Sequence, residues 1–439
     1  MMKTIRPGAV DDAGGSVATS QRLEVHGYRA LAAVSVMTFH AYQNNWRAPD
    51  WKWPLEGTIW HEVMLATDLC VDLFFVLSGL LLGLQYAKSC LGEAAPRSGR
   101  ALLLRRATRL IPLYYIVVCT VWAITNPDLP GNWRDLVLHL TFTHVYSQEY
   151  IFYTDGPAWS LANEMHYYLL LALLGALAQK CCQRLRTRGA KLTLLIGGTL
   201  TLIGASVVYK LAAAYVYHVP ADHWPTWFGP LAKLDVFAVG LLISIFYAAG
   251  LRFRHGLTQI LVLLSGMAIL AAGLYLRPAQ GVEPLLHPAF AAGCGLLIAS
   301  TAMGTTIRPR WLKWRPLVSV SMASYSLYLW HEPIMRYLRY IGALPDHRHP
   351  LAFPITAIMV FCAAVPVAII SYKLIEMTGQ KLMAAFDSRG RPRDYYADAL
   401  AESPSPSPSL PTQRAPAAGR HTRRFGPDRV TSSNFVDKT

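Results

Sequence analysis

Arg29 and His40 stand eleven positions apart in an apolar stretch of the chain, where ionisable side chains are rare and mark a pathway or a reaction site by default. Eleven steps of about 100° return both to nearly the same helical face, while the rise separates them by roughly 16 Å. They would line one groove without touching. A guanidinium near one end of that groove suits a phosphate-bearing ligand, and an imidazole deeper in it can move a proton near neutral pH, away from bulk water. An interfacial anchor and a hydrogen-bonded packing histidine would leave the same trace.

Other residues add to this pattern. Arg105, Arg106 and Arg109 form a second cationic cluster, because positions three and four apart meet on one side of a helix; such a fork suits phosphates, and plain retention of basic residues at the cytoplasmic face explains it equally well. Glu164 falls in the apolar run that begins at Trp159, with Tyr167 and Tyr168 three and four residues on. A carboxylate among aromatic rings can hold a hydroxyl, or it can pair with an arginine for packing. Asp68 and Asp72 are one turn apart; the simpler reading leaves Asp68 at the interface and pairs Asp72 with a basic group. Ser324, Tyr328 and His331 follow i, i+4, i+7 spacing and make one polar face, either a tunnel wall or an interhelical seam. His139 and His144 lie in a short polar stretch and are expected to be solvated. The seven cysteines show no metal-ligand spacing, so neither a metal nor a disulfide is expected.

Groups like these have to be held by membrane-spanning elements. The 439 residues are 53% hydrophobic and 15% charged, with a mean hydropathy of +0.28, more apolar area than a water-facing surface absorbs. A helix crossing ~30 Å of hydrocarbon needs about 20 apolar residues. Runs of that kind lie near 27–43, 64–86, 107–125, 157–178, 191–214, 228–249, 256–276, 286–305, 317–341 and 352–376. The expected fold is an all-α polytopic membrane bundle of about ten transmembrane helices, plus one helix near 134–147 that is too short and polar to cross and is interfacial or re-entrant.

Lys and Arg are retained on the cytoplasmic side. With the N-terminus inside, the inner loops hold 17 basic residues and the outer loops 5, which predicts both termini in the cytoplasm of a multi-pass plasma-membrane protein. The asymmetry accounts for most of the net charge of +15, so no nucleic-acid partner is expected. Residues 1–21 read as a polar cytoplasmic N-terminus without a cleavable signal peptide, residues 22–380 as the membrane domain, and residues 387–439 as a disordered Pro/Ser/Arg-rich cytoplasmic tail. No P-loop or dinucleotide fingerprint is present.

Six blocks, in order, resemble the integral-membrane acyltransferase family 3. Leu23-Glu24-Val25-His26-Gly27-Tyr28-Arg29 through Phe39-His40 is similar to its opening segment, and Asp72-Leu73-Phe74-Phe75-Val76-Leu77-Ser78-Gly79 to its Asp-Phe-Phe-Ser-Gly block. Arg105-Arg106-Ala107-Thr108-Arg109 through Tyr114 resembles the arginine-rich approach to the third span. Pro157-Ala158-Trp159-Ser160-Leu161-Ala162-Asn163-Glu164 resembles a Trp-Ser-Leu-Glu segment, and Ser324-Tyr325-Ser326-Leu327-Tyr328-Leu329-Trp330-His331-Glu332-Pro333 and Ser371-Tyr372-Lys373-Leu374-Ile375-Glu376 resemble the last two spans. Cys70 stands where a glycine is usual, His166 follows Glu164 where Gln is common, and Met377-Thr378-Gly379 replaces a basic-Pro ending.

The resemblance implies O-acyl transfer, with His40 as general base and acyl-coenzyme A, acetyl by family frequency, as donor substrate. Its phosphates would be held by Arg106 and Arg109, with Arg105 and Arg29 alongside, and Glu164 would position the acceptor hydroxyl or assist His40. Asp72, Ser78, Tyr114, Trp159, Ser324, Tyr328 and His331 are the further candidates for lining the site. The implied acceptor is a carbohydrate or a glycosylated small molecule such as a macrolide. Some family members carry an added SGNH-type esterase domain, for which the tail is too short, so this chain is expected to finish transfer alone or to pass the acyl group to a separate extracytoplasmic transferase. A polytopic transporter would also bury His, Asp and Glu, but it should show broken helices in corresponding halves.

Overall fold

Seven helical stretches among the described residues are long and apolar enough to cross a membrane: Ile59–Leu91, Gly99–Thr125, Ala158–Arg184, Arg188–Val216, Gly256–Leu276, Pro284–Met303 and Ala352–Leu382. The computed structural model describes residues 25–46, 52–277, 283–307, 309–347 and 349–386; the polar N-terminus and the Pro/Ser/Arg-rich tail lie outside them. The chain is a multi-pass membrane protein built as a bundle of helices.

In chain order the helices that matter here are α1 (Val25–Asn44), α2 (Cys70–Leu91), α3 (Gly99–Thr125), α4 (Trp133–Leu140), α5 (Ala158–Arg184), α6 (Arg188–Leu211), α7 (Leu234–Ala248), α8 (Gly256–Leu276), α9 (Glu283–Met303), α10 (Arg315–Met322), α11 (Ser324–Tyr340) and α12 (Ala352–Ser371). Three of the ten predicted spans do not meet the length and hydropathy of a crossing helix. α1 carries His26, Arg29 and His40, α7 is 15 residues long, and the predicted span 317–341 is two helices with a break at Ala323. At that break α1 claims the polar side chains: His26 Nδ1 lies 3.1 Å from Ser321 Oγ, and Arg29 donates to Ser324 Oγ at 3.3 Å. α1, α7 and the start of α11 tolerate polarity or short length because other helices pack against them.

The core centres on α2, which touches α1, α5, α7 and α9. With lipid outside, helices gain from close backbone approach at small residues more than from burying apolar area. A Cβ built on Gly79 of α2 would stand 2.2 Å from the carbonyl oxygen of Phe237, and one on Gly240 of α7 would stand 2.1 Å from that of Val76. α8 sits at the edge, with most of its apolar side chains facing outward.

The predicted helix at 134–147 is α4 followed by a single tight turn at His144–Tyr146. It does not leave its histidines in water. His139 and His144 are both fully buried, with parallel rings 3.9 Å apart. The polarity of the stretch predicts solvation; the structure buries both rings, and only His139 gains a polar partner, since neither ring nitrogen of His144 has a hydrogen-bond partner among the described residues. The Asp135 carboxylate lies 3.0 Å from His139 Nδ1, and Thr154 donates its hydroxyl to the same carboxylate. Burial, and then the neighbouring His139, hold His144 well below the ordinary histidine value. Burial, and then Glu332, hold Asp155 well above the ordinary carboxylate value.

Candidate active site

The cavity that collects the charged candidates is framed by α1, α2, α3, α5 and the first turns of α11. It encloses about 750 Å³ of atom-free space, its open mouth included. Arg29 reaches it from α1, Ser78 from α2, Arg106 and Arg109 from α3, Glu164 and Tyr168 from α5, and Ser324, Tyr325 and Tyr328 from α11. α3 begins at Gly99, capped by Ser98, whose hydroxyl accepts from the Ala101 backbone N–H at 3.4 Å. The arginines therefore sit on rigid helical turns rather than in the connecting loop.

The three guanidiniums are held differently. Arg109 Nε lies 3.6 Å from Glu376, a fully buried carboxylate that also accepts from Ser326 Oγ at 2.6 Å. Glu376 ends a π-helical turn, Tyr372–Glu376, that follows α12, a local widening of the kind found at functional sites. Arg106 lies over the Tyr168 ring, 5.6 Å from its centre, and Arg29 donates only to Ser324. Among the described residues neither Arg29 nor Arg106 forms an ion pair, so two cations face the cavity with charge to spare for an anionic ligand.

Glu164 stands in this same compartment, accepting from Ser78 Oγ. Of its two aromatic neighbours only Tyr168 shares the cavity. Tyr167 turns toward Phe75 and Phe237, and its hydroxyl donates to the Pro230 carbonyl at 2.9 Å.

His40 lies outside the cavity lining. Its Nδ1 lies 2.8 Å from Nε2 of His331, with the two rings stacked at 5.0 Å, and His331 Nδ1 donates to the Tyr328 carbonyl at 2.7 Å. Tyr328 links the cavity to this pair. Its ring borders the arginine cavity, while its hydroxyl meets Ser160 Oγ at 2.7 Å and the Pro157 carbonyl at 3.2 Å. The i, i+4, i+7 face of Ser324, Tyr328 and His331 thus runs from the arginines to the imidazole.

Four other candidates stand off the main cavity. Arg105 is not among its lining residues. Trp159 packs edge-on against Phe75 and Phe228 behind it. Tyr114 borders a smaller neighbouring space and donates to the His139 carbonyl at 3.0 Å. Asp72 is buried and bonded to His287 Nδ1 at 2.5 Å, the basic partner anticipated for it, while Asp68 meets Arg277 at 3.3 Å.

A family model described as an acyltransferase domain matches residues 22–373. The chain belongs to the integral-membrane acyltransferase family 3. This makes it an acyltransferase, and the six blocks fall inside the matched range. Among curated relatives, the O-acetyltransferase OatA of Staphylococcus aureus is 25% identical over 382 residues, covering 80% of this chain and 56% of OatA. A Komagataeibacter xylinus protein, BcsY, provisionally named a membrane-bound transacylase, is 25% identical over 376 residues, 82% of this chain and 83% of its own. YrhL of Bacillus subtilis, provisionally named a peptidoglycan O-acetyltransferase, is 23% identical over 337 residues, 70% of this chain and 48% of its own. The chain thus spans about half the length of OatA and YrhL. No solved structure matches it significantly.

Sequence reasoning left Glu376 without a role, although a carboxylate closing an apolar run is a signal in itself. It also passed over Lys210, Lys233 and Asp235. Lys210 pairs with Asp235 at 2.8 Å, and Lys233 is buried with its ammonium 5.0 Å from the Phe228 ring centre. The same rule, charge inside an apolar run, marks all three.

Proposed function

We propose that this family member moves an acyl group, acetyl first among candidates, from acyl-coenzyme A to a hydroxyl of a sugar-containing acceptor, a surface glycan or a glycosylated small molecule. The observation that carries the reading is one polar face of α11, Ser324, Tyr328 and His331, that leads from the cavity of Arg29, Arg106 and Arg109 to His40; among the described residues Arg29 and Arg106 form no ion pair. The guanidiniums suit the donor's phosphates, and the thioester supplies the activated acyl carbon.

His40 takes the proton of the acceptor hydroxyl as its oxygen bonds to the acyl carbon; the carbon–sulfur bond breaks, and the sulfur leaves with that proton. Glu164, placed beside the arginines, orients the pantetheine arm or the incoming hydroxyl through the edge it shares with Ser78. The excess of basic residues in the inner loops supports a donor side in the cytoplasm of a plasma-membrane protein, with both termini inside. The names of OatA and YrhL favour O-acetylation and a cell-wall or related glycan.

Purified full-length protein supplied with acetyl-coenzyme A and a panel of glycans and glycosylated macrolides should release free coenzyme A with at least one of them. His40→Ala should lose that release while remaining folded in detergent. Undiminished release from His40→Ala would remove the reading, and mass spectrometry of the acceptor names the product.

A further inference from the structure

We propose that His331 is the positioning residue of the reaction, fixing the tautomer of His40 so that Nε2 of His40 is the atom that receives the acceptor's proton. This rests on reading His40 as the base.

The assignment follows from hydrogen-bond capacity. A backbone carbonyl oxygen can only accept, and His331 Nδ1 lies 2.7 Å from the Tyr328 carbonyl, so that nitrogen carries a hydrogen. His331 is 1% exposed, and among the described residues its hydrogen bonds go to backbone carbonyls and to His40, with no carboxylate bonded to it. An imidazolium there would be a buried ion without a bonded counter-charge. In the neutral ring the second nitrogen, Nε2, is an acceptor. It lies 2.8 Å from His40 Nδ1, which must therefore donate. A neutral His40 with its hydrogen on Nδ1 has its lone pair on Nε2, and among the described residues that atom makes no hydrogen bond.

The order of groups is carbonyl, imidazole, imidazole. It does for His40 what a carboxylate does for the histidine of a hydrolase triad: it sets tautomer and orientation and supports the imidazolium that forms. When Nε2 takes the acceptor's proton, the Nδ1–H of the resulting cation still points at His331 Nε2, and that hydrogen bond becomes charge-assisted. The proton stays on His40, because an imidazolium at the fully buried His331 would cost more than one at the partly exposed His40; the proton on His40 Nε2 leaves with the departing sulfur. The support is rigid. Trp330, the residue before His331, donates its indole N–H to Ser371 Oγ at 2.9 Å and fixes the rotation of α11 against α12, while the Tyr328 side chain is fastened to Ser160.

Two substitutions separate this role from packing. His331→Leu keeps bulk and removes the acceptor, whereas His331→Gln can offer an amide oxygen to His40 Nδ1. In purified full-length protein, kcat for acetyl-coenzyme A turnover should fall roughly 100-fold or more in His331→Leu with KM for the donor unchanged, and His331→Gln should recover to within about tenfold of the parent. Nitrogen-15 solid-state NMR of histidine-labelled protein in lipid, with His40 assigned by its loss in His40→Ala, should show His40 protonated on Nδ1. It should turn to the Nε2-protonated form or a mixture in His331→Leu. A parent protein with His40 protonated on Nε2 overturns the assignment whatever the variants do. Loss of turnover in His40→Ala with full kcat in His331→Leu overturns the positioning role alone. Full turnover in His40→Ala overturns the base reading and the positioning role with it.

Discussion

Arg109 leans on Glu376 at 3.6 Å, whereas Arg106 lies over the Tyr168 ring and forms no ion pair among the described residues. The difference sets what each substitution should do. Charged hydrogen bonds contribute about 1.5–3 kcal/mol, and 1.4 kcal/mol is a factor of ten. Arg106→Ala is therefore expected to raise KM for the acyl donor by roughly 10- to 100-fold, with thermal stability in detergent unchanged; an unaltered KM would take Arg106 out of the donor site. Arg109→Leu strands the buried Glu376 carboxylate. That should lower the melting temperature, and adding Glu376→Leu should recover the melting temperature but not the donor KM, since stability and binding draw on different halves of the pair. The residue types at these positions are legible in the sequence. Their partners are not, because Glu376 arrives from the far end of the chain and its aim depends on the π-helical turn after α12.

At the scale of elements, apolar length is enough to find seven crossing helices, and the three predicted spans outside that criterion differ for physical reasons. α1, α7 and the first turns of α11 fall short of a lipid-facing helix because they pack against other helices, and hydropathy cannot distinguish a helix shielded by protein from one too polar to insert. The α2–α7 crossing was invisible for a similar reason: a glycine in an apolar run says nothing of which backbone it meets. Gly240→Val should force those helices apart and sharply reduce the yield of folded protein, measured by size-exclusion chromatography in detergent; a normal yield would show that the crossing has slack. The segment around α4 offers a pH test. Below about pH 6.5 the unfolded chain binds a proton at His144 that the folded chain refuses, so this contribution to stability is complete above that pH and drains away as pH falls, by up to about 1.4 kcal/mol per unit. Asp155, held above its ordinary value, works in the opposite sense, losing stability as pH rises from the carboxylate range toward its folded value. His144→Phe keeps a ring to stack on His139 and removes the histidine's share alone. Between pH 7.5 and 5.5 the parent should lose more melting temperature than the variant; equal losses would mean that His144 does not titrate with unfolding.

For the whole molecule, direction is the remaining quantity, and the proposed one rests on loop charge and on the order of the arginines and His40 along the bundle. Arg106 and Arg109 occur early in α3, near the loop 92–98 that joins it to α2, whereas His40 is near the C-terminal end of α1 and pairs with His331, on a helix whose far end reaches Tyr153 and Thr154 through Arg336. On the proposed reading the donor enters beside the arginines and reaches the imidazole past Tyr328, and the acceptor comes from the side of the 126–157 segment. Six blocks legible in the sequence place these residue types on their helices, but that Tyr328 links the cavity to the pair of His40 and His331 emerges only from packing. If the excess of basic residues marks the cytoplasm, a single cysteine at Ser98, in a background with the seven native cysteines replaced, should react with a membrane-impermeant maleimide only after the cells are opened, while one at Gly131 should react in intact cells. Labelling of position 98 from outside would leave cytoplasmic acyl-coenzyme A facing the histidine end with the arginines on the wrong side, and the order of donor, base and acceptor proposed above would have to be reversed.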